Sequence, residues 1–386
     1  MKRKFASTNH LTYAVLGIAI AAICAGLAFS IEACGSSNSS TPTVRKGLWV
    51  ANSGGPTVLE FLAGQTTVKG ISDPTPHFIN DSEFFFSPQD VVFDASGNLW
   101  VIDGGDGDAD DDGDTQGVFE FTATQLQQLG TTPDPDPAFA ITNEEGVPGF
   151  VFPQFGIFDS SGNLYVADPG INVIFLFTAQ QLTSDSGDGL TPAAVFQIED
   201  STAVLGEAFD GSGNLFVADN GAAQIFVIDK ANIPIGGGTA VSPTVITPDV
   251  VLSSNNAEEF ASIDAPWGLV FDGSGNLWFT NEGFALESGP SVVRFPRNEL
   301  TVSGTPTPTA QLTSTTFNGN ESIDDPQGIS FDNLSNLAIA NDANATISIF
   351  ASNQLLDTSP VPRVFIVGEN TTLSSPTGLI FGPNIH

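Results

Sequence analysis

The densest chemistry in the chain lies between Asp103 and Asp114, which reads DGGDGDADDDGD. Within it, Asp108-x-Asp110-x-Asp112-Gly113 sets carboxylates on alternate residues and a glycine at the turn. Calcium wants several hard oxygen ligands, and alternate residues of a tight loop converge on one point. Asp114 and Gln116 extend the set, Gln116 offering an amide oxygen. The expectation is a structural Ca²⁺ bound by Asp108, Asp110, Asp112, Asp114 and Gln116. Seven Asp in twelve positions repel one another without a cation. The competing reading is a solvated acidic run.

A second set of chemistry-bearing residues recurs along the chain in P-x-G-like segments: PQD (88–90), PQF (153–155), VLG (204–206), PWG (266–268), PQG (326–328) and PTG (376–378). Their middle residues are Gln89, Gln154, Leu205, Trp267, Gln327 and Thr377. Facing a common space, these form a lining of neutral hydrogen-bonding groups and one indole, suited to a small polar ligand such as a sugar or peptide. A water-filled structural channel whose amides bond to each other is the alternative. Asp90 and Glu207 place acids at positions that are otherwise glycine or apolar. The only histidines are His10, His77 and His386, none of them in these segments. Acid–base chemistry here would rest on carboxylates.

These residues are positioned by a repeat. FDASGNLWVID (93–103), FDSSGNLYVAD (158–168), FDGSGNLFVAD (209–219), FDGSGNLWFTN (271–281) and FDNLSNLAIAN (331–341) are one unit written five times. Phe-Asp ends a strand, the following Ser-Gly-Asn makes a tight hairpin turn with Gly free to take positive φ, and Leu-x-Val-x alternates as a second strand. A third strand follows, as in GVFEFT (117–122) or VIFLFT (173–178), then a more variable fourth, as in AFAIT (138–142) or AVFQI (194–198). A sixth unit is split between the termini: GLWVAN (47–52) supplies its second half and SPTGLIFGPN (375–384) its first. Four strands per unit, with one unit shared by the chain ends, predicts an all-β, six-bladed β-propeller closed by its N- and C-terminal strands.

The P-x-G-x-x-FD-x-SGNL-x-VAD pattern resembles the NHL-repeat propellers over most of residues 46–386. That resemblance implies a six-bladed ring around a central channel. The gluconolactonase / senescence marker protein propellers are a more distant likeness. They hold a divalent cation in the channel through a Glu in a G-E-G-P-like segment and an Asn and an Asp at the middle of two P-x-G segments. LGEAFD (205–210) is similar to the Glu segment, but no Asn or Asp occupies a middle position here. The virginiamycin B lyase propellers use a His as acid or base, and no channel strand here carries one. The acidic loop is no EF-hand, since the twelfth position is Phe119; it resembles the calcium hairpins of integrin-type propellers, with Gln116 at the ninth position.

The N-terminus carries an address. Lys2, Arg3 and Lys4 precede the apolar run LTYAVLGIAIAAICAGLAF (11–29), the layout of a secretory signal. Cys34 in IEAC, followed by GSSNSSTPT, resembles a bacterial lipobox, with Glu32 at −2 departing from it. Cleavage after Ser30 or Ala33 and an uncleaved anchor are the alternatives. After Cys34 there is no further cysteine, so a mature chain has no structural disulfide and Cys34 reads as an acylation point. The expected organisation is a signal peptide at 1–33, a flexible tether at 34–45 and the propeller at 46–386.

The chain has 386 residues, 44 acids, 10 bases and a net charge of −34. Loss of residues 1–33 leaves 43 acids and 7 bases. Phosphate recognition needs clustered Lys and Arg, so nucleic acid is excluded as a partner. The same charge disfavours an anionic membrane surface, leaving membrane contact to a lipid anchor. Acids also precede the P-x-G segments: Asp81, Glu83, Glu144, Glu145, Glu199, Asp200, Glu258, Glu259, Glu321, Asp324, Asp325 and Glu369. If these ring one mouth of the channel, that mouth steers cations. Together the readings predict a cell-envelope lipoprotein, lipid-anchored at the outer membrane or cell surface, or secreted if not lipidated. It would act as a binding or scaffolding module for a protein, glycan or small polar ligand. The alternative is a divergent metal-dependent hydrolase or lyase working around Asp90 and Glu207. A purely structural envelope protein is the third reading.

Overall fold

The computed structural model describes residues 46–80, 84–105, 116–129, 135–143, 147, 149–183, 187, 189–254, 262–283, 289–317 and 319–383. The chain folds into six four-stranded antiparallel blades arranged as a β-propeller. From the axis outward, blade 1 is Pro88–Phe93, Leu99–Asp103, Gly117–Phe121 and Phe139–Thr142. Blade 2 is Phe155–Phe158, Leu164–Asp168, Val173–Phe177 and Ala194–Ile198. Blade 3 is Val204–Phe209, Leu215–Asp219, Gln224–Ile228 and Val250–Ser253. Blade 4 is Pro266–Phe271, Leu277–Asn281, Ser291–Phe295 and Ala310–Thr313. Blade 5 is Pro326–Phe331, Leu337–Asn341, Thr346–Phe350 and Val364–Ile366. Blade 6 takes its inner strand, Pro376–Phe381, from the C-terminal end and its others, Leu48–Asn52, Thr57–Phe61 and His77–Ile79, from the N-terminal end. Every inner strand touches its two neighbours, so the ring is closed as the split repeat predicts.

The repeated residues each have a local task. In blade 1, Asp94 Oδ1 accepts the N–H groups of Ser96 (2.8 Å) and Asn98 (2.9 Å), and Asn98 Nδ2 donates to Asp94 Oδ2 (2.9 Å). Gly97 sits at φ +82° to close the turn. Asn98 Oδ1 then accepts the Ala123 N–H (3.0 Å), stitching the inner hairpin to the chain leaving the third strand. The same stitch recurs from Asn163, Asn214, Asn276 and Asn336. In blade 5 Ser335 adopts φ +60° where the other turns have Gly.

The Phe of Phe-Asp and the aromatic residue after Asn-Leu form the seam between blades. Trp49 meets Phe93, Trp100 meets Phe158, Tyr165 meets Phe209, Phe216 meets Phe271 and Trp278 meets Phe331, all edge-on, with centroids 5.0–5.9 Å apart. Such pairs add about 0.5–1.5 kcal/mol beyond their buried area. The seam from blade 5 to blade 6 lacks a pair, because Ala338 stands in the aromatic slot.

The structure adds devices beyond the four-strand plan. Thr244–Ile246, from the third-to-fourth connection of blade 3, pairs in parallel with the outer strand of blade 2. Gly70–Ser72, from the same connection of blade 6, does so on blade 5. Gly304 and Thr358 make shorter clasps on the outer strands of blades 3 and 4, bonding Ser253 (2.9 Å) and Thr313 (2.8 Å). A connection that reaches back in this way covers an otherwise open sheet edge. Among the described residues, no helix is long and apolar enough to cross a membrane.

Candidate functional site

The site is built where the inner strands meet the axis, and the P-x-G segments explain its shape. A Cβ on Gly206 would collide with the Trp267 carbonyl, on Gly268 with that of Gln327, on Gly328 with that of Thr377, and on Gly378 with Asp90. Glycine in the third position therefore lets successive inner strands touch. The ladder is bulged at this point in blades 1, 3, 4, 5 and 6, which re-aims the middle residue. Blade 1 replaces the glycine with Asp90 and blade 2 with Phe155, so these two side chains fill space the others leave open.

Each inner strand is held at its start by the last residue of the second strand. Asp103 accepts the N–H groups of Phe86, Ser87 and Gly105, and Asp168 those of Val151 and Phe152. Thr202 and Ala203 likewise donate to Asp219. Asn281, Asn341 and Asn52 perform the task in blades 4, 5 and 6. Burial pushes Asp103 and Asp168 up to about 6, opposed by these backbone donors. They are structural latches.

The middle residues lie on the innermost strands of the blades or, for Gln154, directly before it. Gln89, Gln154, Leu205, Gln327 and Thr377 are buried and Trp267 is half-buried. The amides do not bond to each other. Gln89 Nε2 donates to Ser87 Oγ (2.8 Å) and Gln327 Nε2 to Asp342 Oδ2 (3.2 Å), while Thr377 Oγ1 donates to the Pro88 carbonyl (3.2 Å). Trp267 packs edge-on against Phe155 at 6.3 Å, and its Nε1 is buried without an acceptor.

Asp90 and Glu207 are buried as well, and the charge of one acts on the other. Asp90 Oδ2 accepts the Gly156 N–H (3.2 Å). Both Glu207 carboxyl oxygens are buried without a partner. Burial pushes Asp90 up to about 7, against its backbone donors. Burial, then the neighbouring Asp90 charge, raises Glu207 well above the usual carboxylate range. The pair can store a proton. Among the described residues, no third Asp, Glu, His or Cys joins them as a metal-ligating group.

A further acidic group, unread in the sequence except for Asp325, lies at the end of the channel where the P-x-G segments begin. Glu282 accepts a hydrogen bond from Asn220 Nδ2 (3.2 Å) and shares a hydrogen bond with Asp325. Asp342 adjoins Asp325, is held by Gln327 Nε2 and takes a hydrogen bond from Ser375. Burial, then the nearby carboxylates, pushes Glu282 up to about 7 despite Asn220. Burial also raises Asp325 and Asp342. Asn220, Glu282 and Asp342 occupy one repeat position, the residue after each latch, which is Gly104, Pro169 and Ser53 elsewhere. Reading each repeat one residue further would have exposed them.

Of the expected cation loop, Asp108, Asp110, Asp112 and Asp114 lie outside the described residues, as do Cys34 and the signal. Gln116 is buried, and its Nε2 donates to the Phe150 carbonyl (3.3 Å). Of the acids thought to ring a mouth, Glu199, Asp200, Glu321 and Glu369 are exposed, and Asp325 turns into the cluster. Asp81, Glu83, Glu144, Glu145, Glu258 and Glu259 lie outside the described residues. His77 stands on the outermost strand of blade 6, with Nδ1 3.2 Å from Glu60 Oε2, remote from the channel strands.

No family model matches the sequence, and no curated protein matches it. Among solved structures the chain is similar to a Bacteroides fragilis protein provisionally assigned as a 6-phosphogluconolactonase. The identity is 13% and the TM-score 0.52, over 89% of this chain and 99% of that one. It is similar to a chain of a nidogen/laminin complex at 12% identity and TM-score 0.51, over 88% and 99%. Virginiamycin B lyase from Staphylococcus aureus gives 13% identity and a TM-score of 0.40, over 71% and 69%. At such identities the likeness is one of fold.

Proposed function

We propose that this protein is a binding module of the cell envelope, exported by its N-terminal signal and tethered through Cys34, that takes a small polar ligand at the P-x-G end of the channel. One observation carries this reading. Residues in and beside the P-x-G segments carry buried polar atoms without partners: Trp267 Nε1, Gln327 Oε1, Asp325 Oδ1 and Asp342 Oδ1. An unmet buried group costs about 1–3 kcal/mol, which a ligand supplying the missing partner recovers. Propellers of this fold include both a chain in a protein complex and a provisionally assigned lactonase, so the fold favours neither use. The test is a thermal-shift screen of the intact protein against neutral saccharides, cell-wall glycan fragments and short peptides. A ligand-dependent rise in Tm that Trp267→Ala abolishes supports the proposal. Silence across all three classes removes it.

Two parts of the proposal lie in residues outside the channel. Cys34→Ser moves the protein from the detergent phase to the aqueous phase if Cys34 is acylated. Calcium raises the melting temperature if the Asp108–Asp112 loop is a structural site, and Asp110→Ala cancels that rise.

A second reading, a hydrolase or lyase centred on Asp90 and Glu207, is favoured by the two buried carboxyls lying close enough to interact. Turnover of a lactone, ester or glycan that falls by about a hundredfold in Glu207→Gln would establish it.

A further inference from the structure

The geometry points to an ammonium-binding subsite at the P-x-G mouth of the channel, formed by Asp325 Oδ1, Asp342 Oδ1 and Gln327 Oε1. The inference rests on the reading of that mouth as a ligand site and names the chemistry that would fill one side of it. Each carboxylate of the cluster already has a holding contact: Asn220 on Glu282, Glu282 on Asp325, and Gln327 Nε2 and Ser375 on Asp342. Three acceptor atoms of this group, Asp325 Oδ1, Asp342 Oδ1 and Gln327 Oε1, are buried and receive no hydrogen bond from a donor. Their residues adjoin one another. Asp342 N–H donates to the Asp325 carbonyl (3.1 Å), and Gln327 reaches Asp342 with its own amide. Gln327 is only 5% exposed, so its free oxygen has no recourse to bulk water.

The number and type of these atoms select the ligand. A primary ammonium carries three N–H donors and no acceptor, which matches three unmet acceptors. Two formal negative charges and one amide dipole compensate its charge in a partly desolvated site, where charge-assisted hydrogen bonds are strong. Among the described residues, the ion pairs His77–Glu60 and Arg294–Asp272 both lie outside this cluster. A divalent metal fits less well. Among the described residues no three acidic, His or Cys groups converge as metal ligands. The three acceptors come from two carboxylates and a neutral amide, and the third carboxylate, Glu282, is tied to Asn220 and Asp325.

The test titrates the intact protein with n-propylammonium and with lysine methyl ester, read by ligand-observed NMR and by melting temperature. The protein carries Asp108→Asn, Asp110→Asn and Asp112→Asn, so that the acidic loop contributes nothing. Expected are saturable binding at one site and at least about tenfold weaker binding of tetramethylammonium, which has the charge but no N–H donor. Asp342→Asn and Gln327→Leu should each weaken propylammonium by about tenfold while the free proteins melt within a few degrees of the parent. The inference is overturned by no saturable binding, by equal affinity for tetramethylammonium, or by displacement of propylammonium by an equal concentration of Ca²⁺. Where a variant fails to fold, the comparison of the two ammonium probes on the parent decides alone. Loss of the ammonium signal with retention of a Trp267-dependent neutral ligand would sink the subsite and leave the wider binding reading standing. Loss of both would sink the two together.

Discussion

At the residue scale, buried carboxyls, Asp90 and Glu207 among them, make stability depend on pH. Both are buried, and burial holds their folded-state affinity for protons above that of an unfolded chain. Glu60, with burial as the cause, is likewise pushed up to about 7. For a raised carboxyl the folded state binds the extra proton between the unfolded value and the folded one, so for Asp90 and Glu60 the stabilising contribution is complete below about pH 4 and is lost as pH rises through about 7. Asp90→Asn mimics the protonated form and keeps an oxygen to accept the Gly156 N–H. Its melting temperature is expected to match the parent near pH 4.5 and to exceed it at pH 8. The gap would be on the order of 3 kcal/mol, read from denaturant melts at the two pH values. A variant that melts below the parent at pH 8 would mean that Asp90 is held ionised by a partner of its own.

The turn and the seam are the units that matter at the element scale. Asn163 bonds Asp159 within its turn (2.8 Å) and also accepts the Ala179 N–H (3.0 Å) from the chain leaving the third strand of its blade. Asn163→Ala leaves that N–H to seek water, and a loss of about 1–3 kcal/mol is expected in urea melts. Trp100 makes edge-on contacts with Phe158 in the next blade and Phe139 in its own, and is 2% exposed. Trp100→Ala therefore opens a cavity across a blade boundary, and its expected cost of about 3–5 kcal/mol exceeds that of the turn variant. A smaller loss for Trp100→Ala than for Asn163→Ala would show that the seams are not the main source of stability. The turn chemistry was legible in the repeated Asp-x-Ser-Gly-Asn, since all its partners lie within a few residues. The strand clasps were not, because Thr244–Ile246 and Gly70–Ser72 pair with strands of a neighbouring blade and lack any repeated motif.

On the scale of the whole molecule, closure makes six marginal sheets into one cooperative structure. Pro376–Phe381 pairs with Leu48–Asn52, and Leu379 and Phe381 complete a core cluster shared with blade 5. Removing residues 375–386 would leave Leu48–Asn52 as an open edge and expose that cluster. The expected result is aggregation or a broad, non-cooperative melt; an unchanged sharp transition would show that the other five blades fold as an independent body. The net charge of −34 repels itself across so compact a fold. Added salt should accordingly raise the melting temperature at neutral pH, and a salt-independent value would mean that the acids are locally compensated.

The amino-acid sequence alone determined the strand plan, the turns and the split blade. These depend on short-range periodicity and on a unit repeated often enough to be aligned with itself. Only the tertiary structure decided which of the many acids act together. Asp90 acts on Glu207 because the inner strands of blades 1 and 3 belong to one closed ring. Glu282, Asp325 and Asp342 meet because the residues after the latches and before the P-x-G segments are carried to one end of a closed ring. Along the sequence those acids look like the solvated ones around them. Their burial, and the acceptors it leaves unmet, exists only once the blades have packed.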